Sequence, residues 1–175
     1  MSKILSILIV LALLTFSFAG HVAAASYVAD PSASLRVKVV NGQDPRAEIL
    51  KSYLESHNSP LAGYSDKFIE VADTYNLDWR LIPAITGVES TFGKRIPKNS
   101  FNAYGWANGN YQFSSWDESI EVVGKALREK YIDRGAATIN RIARRYAPPS
   151  STWAWKVKFF MQKIESLPIY FDLEG

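Results

Sequence analysis

Apolar residues recur every three or four positions along most of the chain after residue 44, and this spacing predicts a mainly helical fold. The predicted helices begin at Asp44, Ser65, Asp78, Ser115, near Ile139, and at Ser150 or Ser151. Asp44 precedes a proline, which is the expected order of an N-cap and the first helical position. Ser115 and Glu118 have the spacing of a capping box.

The segment 94–114 departs from this helical pattern. It is rich in Asn, Gly and Ser, and it still contains five aromatic residues. Asn108-Gly109 lies between Tyr104–Ala107 and Asn110–Phe113, which predicts a β-hairpin with a two-residue turn. The expected fold class is therefore mainly α (α+β), with a compact helical domain and one small β-hairpin lobe over a cleft. Aromatic rings and amides in such a cleft suit a sugar polymer.

Glu89 interrupts an apolar helical stripe. Ile82, Ile85 and Glu89 follow one another at i, i+3 and i+7, so they share one helix face. A carboxyl on a core-facing stripe is costly unless it is neutral or paired. Burial favours the protonated form, and a carboxylic acid that keeps its proton can act as a general acid. Glu89 is therefore the first candidate for a catalytic residue.

The N-terminus has the pattern of a secretory signal. Met1–Lys3 is short and positively charged, Ile4–Ala19 is apolar without charge, and Ala23–Ala25 offers a cleavage site. The predicted organisation is a signal peptide at 1–25, a lead-in at 26–43, one domain at 44–167 and a tail at 168–175. The lead-in includes one possible short strand at Leu35–Val40. A secreted or envelope-associated protein is expected, and contact with a membrane is expected only if the signal stays uncleaved as an anchor.

Composition narrows the possible chemistry. The chain has no cysteine and only two histidines, His21 and His57, so thiolate sites and multi-histidine metal sites are excluded. Nucleotide-binding glycine motifs and the G-x-S-x-G nucleophile motif are also absent. Carboxylates and tyrosines remain as the reactive groups, and neither a metal nor a cofactor is expected.

Charge is distributed unevenly. The formal net charge is +3, but residues 125–163 contain ten basic side chains and only two acids, Glu129 and Asp133. This surface is expected either to attract an anionic polymer or to be an ordinary solvated face. Because the protein is expected to be exported, a cell-wall partner is favoured and nucleic acid is not.

Four stretches of the chain resemble the lysozyme-like superfamily, in particular its bacterial N-acetylglucosaminidase branch (mannosyl-glycoprotein endo-beta-N-acetylglucosaminidase-like). They are Leu81–Gly93 with its Glu89-Ser90 pair, Asn102–Trp106, Trp116–Ile120, and Tyr146–Pro149 followed by Trp153. Together they cover roughly residues 44–165. The resemblance implies a compact helical domain with a small β-lobe that hydrolyses glycosidic bonds in peptidoglycan.

The resemblance also assigns roles to residues. It implies that Glu89 is the catalytic acid and that Tyr146 assists it, with Tyr131 as a second candidate for that tyrosine. The expected substrate-binding residues are Tyr104, Trp106, Asn102, Tyr111 and Tyr131. For several of these a packing role stays open, and Asn102 is an alternative holder of the loop. Trp116 and Trp153 are expected in the core, Ser90 is expected to brace its helix, and the protein is expected to be a monomer that binds peptidoglycan glycan strands.

Many glycosidases use a second carboxylate beside the catalytic acid. In this chain the predicted hairpin cannot supply one, because no acidic residue lies between Glu89 and Asp117. Asp117 and Glu118 each have a structural explanation at a helix start. A water held by Tyr146 or Tyr104, or the acetamido group of the substrate, is the alternative second group. The other functions left open are a muramidase or lytic transglycosylase, a non-catalytic wall-binding module, and an assembly factor that uses the basic face.

Overall fold

A computed structural model describes residues 44–166, which lie within one compact unit. Residues 1–43 and 167–175 are outside the described part. The predicted signal peptide, the lead-in with its strand at Leu35–Val40, and the predicted tail at 168–175 therefore stay predictions. In the described part, no helix is both long and apolar enough to cross a membrane.

The described residues are mainly helical, which confirms the predicted class. The α-helices are α1 (Pro45–Ser56), α2 (Ser65–Thr74), α3 (Leu81–Ser90), α4 (Trp116–Ala126), α5 (Ile139–Tyr146) and α6 (Trp153–Glu165). Short 3₁₀ turns occur at Ala62–Tyr64 and Trp106–Gly109, and a π-helical segment, Leu127–Ile132, continues α4. Helix starts and ends lie close to the positions that the sequence predicts.

Side-chain caps explain several of the helix starts. Asp44 Oδ1 accepts a hydrogen bond from the Arg46 N–H at 2.8 Å, and Ser115 Oγ accepts one from the Glu118 N–H at 3.0 Å. The predicted cap at Ser65 is wrong, because Ser65 is the first residue of α2 and its hydroxyl donates to the Ala62 carbonyl at 2.8 Å. Local sequence therefore sets most of these boundaries.

The predicted β-hairpin is wrong, since residues 44–166 contain no strand. Ala107 and Asn108 have φ angles of 51° and 54°, so the chain is kinked there with two residues in the left-handed region. The Asn102 side chain explains the difference. Its Nδ2 donates to the carbonyls of Trp106 and Tyr111 at 2.9 and 3.0 Å, and its Oδ1 accepts from the Trp106 N–H at 2.9 Å. One side chain thus satisfies backbone groups that a hairpin would pair across its strands.

Helix α3 lies in the core and packs along α6. Arg80, just before α3, pairs with Glu165 at the end of α6, whereas Glu89 at the end of α3 contacts Trp153 at the start of α6. The two helices are therefore antiparallel. This arrangement brings the first residue of α6 to the predicted catalytic carboxyl.

Gly124 allows α4 to approach α2 closely. A Cβ added at Gly124 would lie 2.2 Å from Val71 Cγ1, which is a severe clash. We expect Gly124→Ala to lower the stability by about 1–3 kcal/mol, because overpacking outweighs the better helix propensity of alanine. Thermal unfolding measures this effect. The double variant Val71→Ala/Gly124→Ala should lose less than the sum of the single losses, and a melting temperature of Gly124→Ala at or above wild type would contradict this packing.

Candidate active site

Glu89 lies half-buried in the last turn of α3. The indole nitrogen of Trp153, a buried residue at the start of α6, donates a hydrogen bond of 2.6 Å to Glu89 Oε1. This contact joins two segments that are 64 residues apart in the chain. The carboxyl is thus held by a single side-chain donor rather than by an opposite charge.

Ser90 fixes the chain directly after Glu89. Its hydroxyl lies 3.0 Å from the Thr86 carbonyl and 2.9 Å from the Ala103 carbonyl, and its oxygen accepts from the Gly93 N–H at 2.9 Å. These bonds attach the end of α3 to the loop that follows. The predicted bracing role of Ser90 is therefore confirmed.

The environment raises the pKa of Glu89. Burial is the largest cause, because it disfavours the charged carboxylate, while the Trp153 hydrogen bond and the positive charge of Lys156 act in the opposite direction. Lys156 follows Trp153 by three positions in α6. Glu89 therefore keeps its proton to higher pH than an ordinary glutamate does.

The two oxygens of Glu89 are not equivalent. Oε1 accepts the indole N–H, which favours Oε2 as the oxygen that carries the proton of the neutral acid. Oε2 lies beside Gly105, where an added Cβ would stand only 3.0 Å from it. Gly105 also has a φ of 65°, which favours glycine. A side chain at this position would crowd Glu89 Oε2.

Tyr146 lies next to this carboxyl at the end of α5. Its hydroxyl donates to the Tyr104 carbonyl at 2.6 Å, and its ring stacks on Trp153 with centroids 5.0 Å apart. Burial raises the pKa of Tyr146, and the charges of Glu89, Tyr131 and Tyr104 add to this. Tyr146 is therefore a neutral phenol and a hydrogen-bond donor across the physiological pH range.

A cavity of about 240 Å³ is lined by Tyr146 and by Gly105, the glycine beside Glu89 Oε2. Its lining residues are Tyr104, Gly105, Trp106, Ala107, Asn108, Tyr131 and Tyr146. The loop after α3 thus meets the end of α5 and the π-helical segment. The structure brings Trp106, Tyr131 and Tyr146 together, as the sequence predicts for a binding site.

Two of the residues predicted to bind substrate, Tyr104 and Asn102, are buried, so the structure does not support that role for their side chains. Tyr104 is 0% exposed, so its ring is packed in the core rather than presented to a ligand. Its hydroxyl lies near Ser119, but no hydrogen bond of normal geometry joins the two, and the Ser119 hydroxyl donates to the Trp116 carbonyl. Asn102 is 2% exposed and its amide is used within the loop. The alternative interpretation of Asn102 as a loop holder is confirmed.

Tyr111 occupies a different position from the other predicted binding residues. It is 42% exposed and packs against Phe113, with ring centroids 4.7 Å apart, and it is not part of the cavity lining. Tyr111 therefore lies at the edge of the loop, where a long polymer could reach it.

Trp116 is buried against Phe101, as predicted for a core residue.

Trp153 is a candidate site residue that the sequence did not indicate. It is buried, as predicted for the core, but its indole nitrogen is also the donor to Glu89. The only signal in the sequence was its place in a stretch that carried the resemblance. The predicted helical spacing could not reveal which helix its nitrogen would contact.

The two carboxylates that the sequence offers as a second catalytic group, Asp117 and Glu118, lie at the start of α4. Glu118 Oε2 accepts from both the N–H and the hydroxyl of Ser114 at 2.6 Å, and Asp117 is exposed at the start of α4. Within residues 44–166, no cluster of three or more His, Asp or Glu side chains could hold a metal ion.

Comparison of the chain with protein-family models finds no match, and comparison with curated proteins finds none either. Functional interpretation therefore depends on the chemistry of the Glu89 site and on the four stretches that resemble the lysozyme-like superfamily.

Proposed function

We propose that this protein is an exported peptidoglycan hydrolase of lysozyme-like fold that cleaves the glycan backbone as an endo-beta-N-acetylglucosaminidase. One arrangement carries the proposal: Glu89 has a raised pKa, its Oε1 accepts the Trp153 indole N–H, and its Oε2 lies beside Gly105, which lines a cavity rich in aromatic residues. A general acid needs to be protonated and held within hydrogen-bond reach of the substrate oxygen that receives its proton.

In the proposed reaction, Glu89 Oε2 donates its proton to the glycosidic oxygen as the bond from that oxygen to C1 breaks. The sugar left behind develops positive charge at C1, and the ionised Glu89 nearby stabilises it. Water attacks C1 directly, or the acetamido oxygen of the substrate attacks first and forms an oxazolinium ion that water then opens; in either case the water gives up a proton, and Glu89 is reprotonated before the next turnover. Tyr146 holds the loop carbonyl of Tyr104 in place, which keeps Gly105 and Glu89 in register.

A lytic transglycosylase is the second candidate, and a specific observation favours it. The groups that shift the pKa of Glu89 are Trp153 and Lys156, and neither is a carboxylate. Many glycosidases use a second carboxylate to activate water or to form a covalent intermediate. A transglycosylase transfers C1 to a hydroxyl of the same sugar and needs no attacking water.

Mass spectrometry of fragments released from purified peptidoglycan tests the proposal. The expected product ends in reducing N-acetylglucosamine. A reducing N-acetylmuramic acid end would assign a muramidase instead, and an anhydro-muramic end would assign the transglycosylase. Retention on purified wall without released fragments would identify a non-catalytic binding module, and neither binding nor release would favour the assembly-factor alternative.

Activity is expected to fall as pH rises through the raised pKa of Glu89. The acid donates a proton only while it is protonated, and burial extends that form to higher pH than in an ordinary glutamate. Rates of wall lysis measured from acidic to alkaline buffers at constant ionic strength give this profile. A rate that stays flat up to about pH 8 would contradict the role of Glu89 as the acid.

A further inference from the structure

The outer face of α6 carries two exposed aromatic side chains in contact with each other. Trp155 is 65% exposed and Phe159, one turn later, is 38% exposed. Their rings stack with centroids 5.6 Å apart and an interplanar angle of 23°. The inner face of the same helix is formed by Trp153, Val157 and Ile164, which are buried. The outer aromatic pair therefore contributes little to the core.

Two exposed lysines, Lys158 and Lys163, neighbour this aromatic pair along α6. Lys163 Nζ lies 5.6 Å from the centroid of the Phe159 ring, and Lys158 Nζ donates to Asn140 Oδ1 at 3.0 Å. The acid in α6, Glu165, is paired with Arg80. The outer face of α6 thus combines apolar rings with excess positive charge.

We propose that the outer face of α6 binds the surface of a bilayer that contains anionic phospholipid. Tryptophan is enriched at the interface between headgroups and acyl chains, and phenylalanine adds apolar area there. Lysines beside such a helix are attracted to anionic headgroups. The lysines therefore complement the anionic headgroups, and the apolar rings complement the acyl-chain boundary beneath them.

A lipid surface fits this face better than a glycan does. Sugar sites combine ring stacking with acceptors and amides that bond to hydroxyl groups. Within α6, the polar side chains within one turn of Trp155 or Phe159 are lysines and Gln162, without a carboxylate. A single helix also presents a convex surface, which suits a planar layer that its rings can enter.

Docking through this face would leave the candidate active site accessible. Successive residues of an α-helix turn by about 100°, so Trp153 and Trp155 point to nearly opposite sides of α6. Trp153 points toward Glu89, and Trp155 points away from it. The proposal does not depend on the glycosidase function, and it adds a route to the membrane that differs from an uncleaved signal segment.

Sedimentation with lipid vesicles tests the proposal on the full chain. Vesicles of phosphatidylcholine alone are compared with vesicles that also contain phosphatidylglycerol. Wild type is expected to prefer the anionic vesicles, with binding that weakens as salt rises. The Lys158→Glu/Lys163→Glu variant is expected to lower the partition coefficient at least about tenfold, since each lysine is worth about fivefold. The Trp155→Ser/Phe159→Ser variant is also expected to lower it, because it removes the apolar rings that enter the interface.

The matched control is Lys51→Glu/Lys98→Glu, which changes the charge equally at exposed lysines outside α6 and is expected to bind like wild type. Because the N-terminal apolar segment could itself bind lipid, a second measurement follows the face directly. Brominated phospholipid quenches tryptophan fluorescence on contact, and quenching is expected in wild type and reduced in Trp155→Phe.

Three results would overturn the proposal. The first is equal binding by wild type and the Trp155→Ser/Phe159→Ser variant, with quenching unchanged in Trp155→Phe. The second is a loss of binding as large in the Lys51/Lys98 control as in the α6 variants. The third is binding of purified wall polymer, rather than vesicles, that the α6 substitutions abolish. Circular dichroism of each variant checks that the helices are retained.

Discussion

Glu89→Gln is expected to reduce wall lysis by a factor of about 10² to 10⁴, which brings it to the limit of detection. Glutamine keeps the size of the side chain and can still accept the Trp153 N–H, but it has no proton to give to a glycosidic oxygen. The measurement is the clearance of a purified wall suspension at equal protein concentration. Clearance at the wild-type rate would contradict the assignment of Glu89 as the acid.

The same variant is expected to be at least as stable as wild type at neutral pH. The pKa of Glu89 is raised in the folded protein, so folding favours the protonated form. That contribution is complete below the unfolded pKa and is lost as pH rises through the folded pKa. Glutamine avoids this loss, so its melting temperature at neutral pH should not fall. Loss of activity then cannot be attributed to unfolding.

Asp117→Asn provides the matched control for Glu89→Gln. Asp117 is an exposed carboxylate at the start of α4, and the substitution makes the same carboxyl-to-amide change. We expect this variant to lyse walls at nearly the wild-type rate. A loss comparable with that of Glu89→Gln would make Asp117 the second catalytic carboxylate, which this account does not assign.

Trp153→Phe is expected to lower kcat/KM for wall cleavage by about tenfold to a hundredfold, since hydrogen bonds to charged groups contribute about 1.5–3 kcal/mol. Phenylalanine keeps a ring against Tyr146 but removes the N–H that holds Glu89 Oε1. The indole bond lowers the pKa of Glu89, so its removal should raise that pKa further. The alkaline limb of the pH–rate profile should therefore move to higher pH.

The pH readout separates positioning from simple packing. Trp116→Phe is the matched control, because Trp116 is also buried but packs on Phe101 rather than on Glu89. It is expected to change stability without moving the alkaline limb. If Trp153→Phe also leaves that limb in place, the indole hydrogen bond does not control the proton of Glu89.

The helices could be predicted because their determinants are local. The cap at Asp44, the cap at Ser115 and the apolar spacing within each helix all act over a few residues. The hairpin could not be predicted correctly, because Asn108-Gly109 is a strong turn signal on its own. The Asn102 side chain overrides that signal by bonding backbone groups on both sides of it.

The candidate site was predictable only where its signal is local in the sequence. Glu89 stands out in the sequence because a carboxyl follows buried positions on one helix face, and its half-buried place in the structure agrees. Trp153 does not stand out, because its role depends on the antiparallel packing of α3 and α6 across 64 residues. Tyr104 was misjudged because an aromatic residue in a polar loop can point into the core as readily as into a cleft.

The proposed chemistry requires that Glu89 keep its proton to higher pH than an exposed glutamate does. Selective ¹³C labelling of glutamate, with the Glu89 signal assigned by comparison with Glu89→Gln, allows its carboxyl to be titrated by NMR. This account predicts a midpoint above that of the exposed glutamates in the same spectra, and a further rise in Trp153→Phe. A midpoint equal to or below that of the exposed glutamates would contradict it.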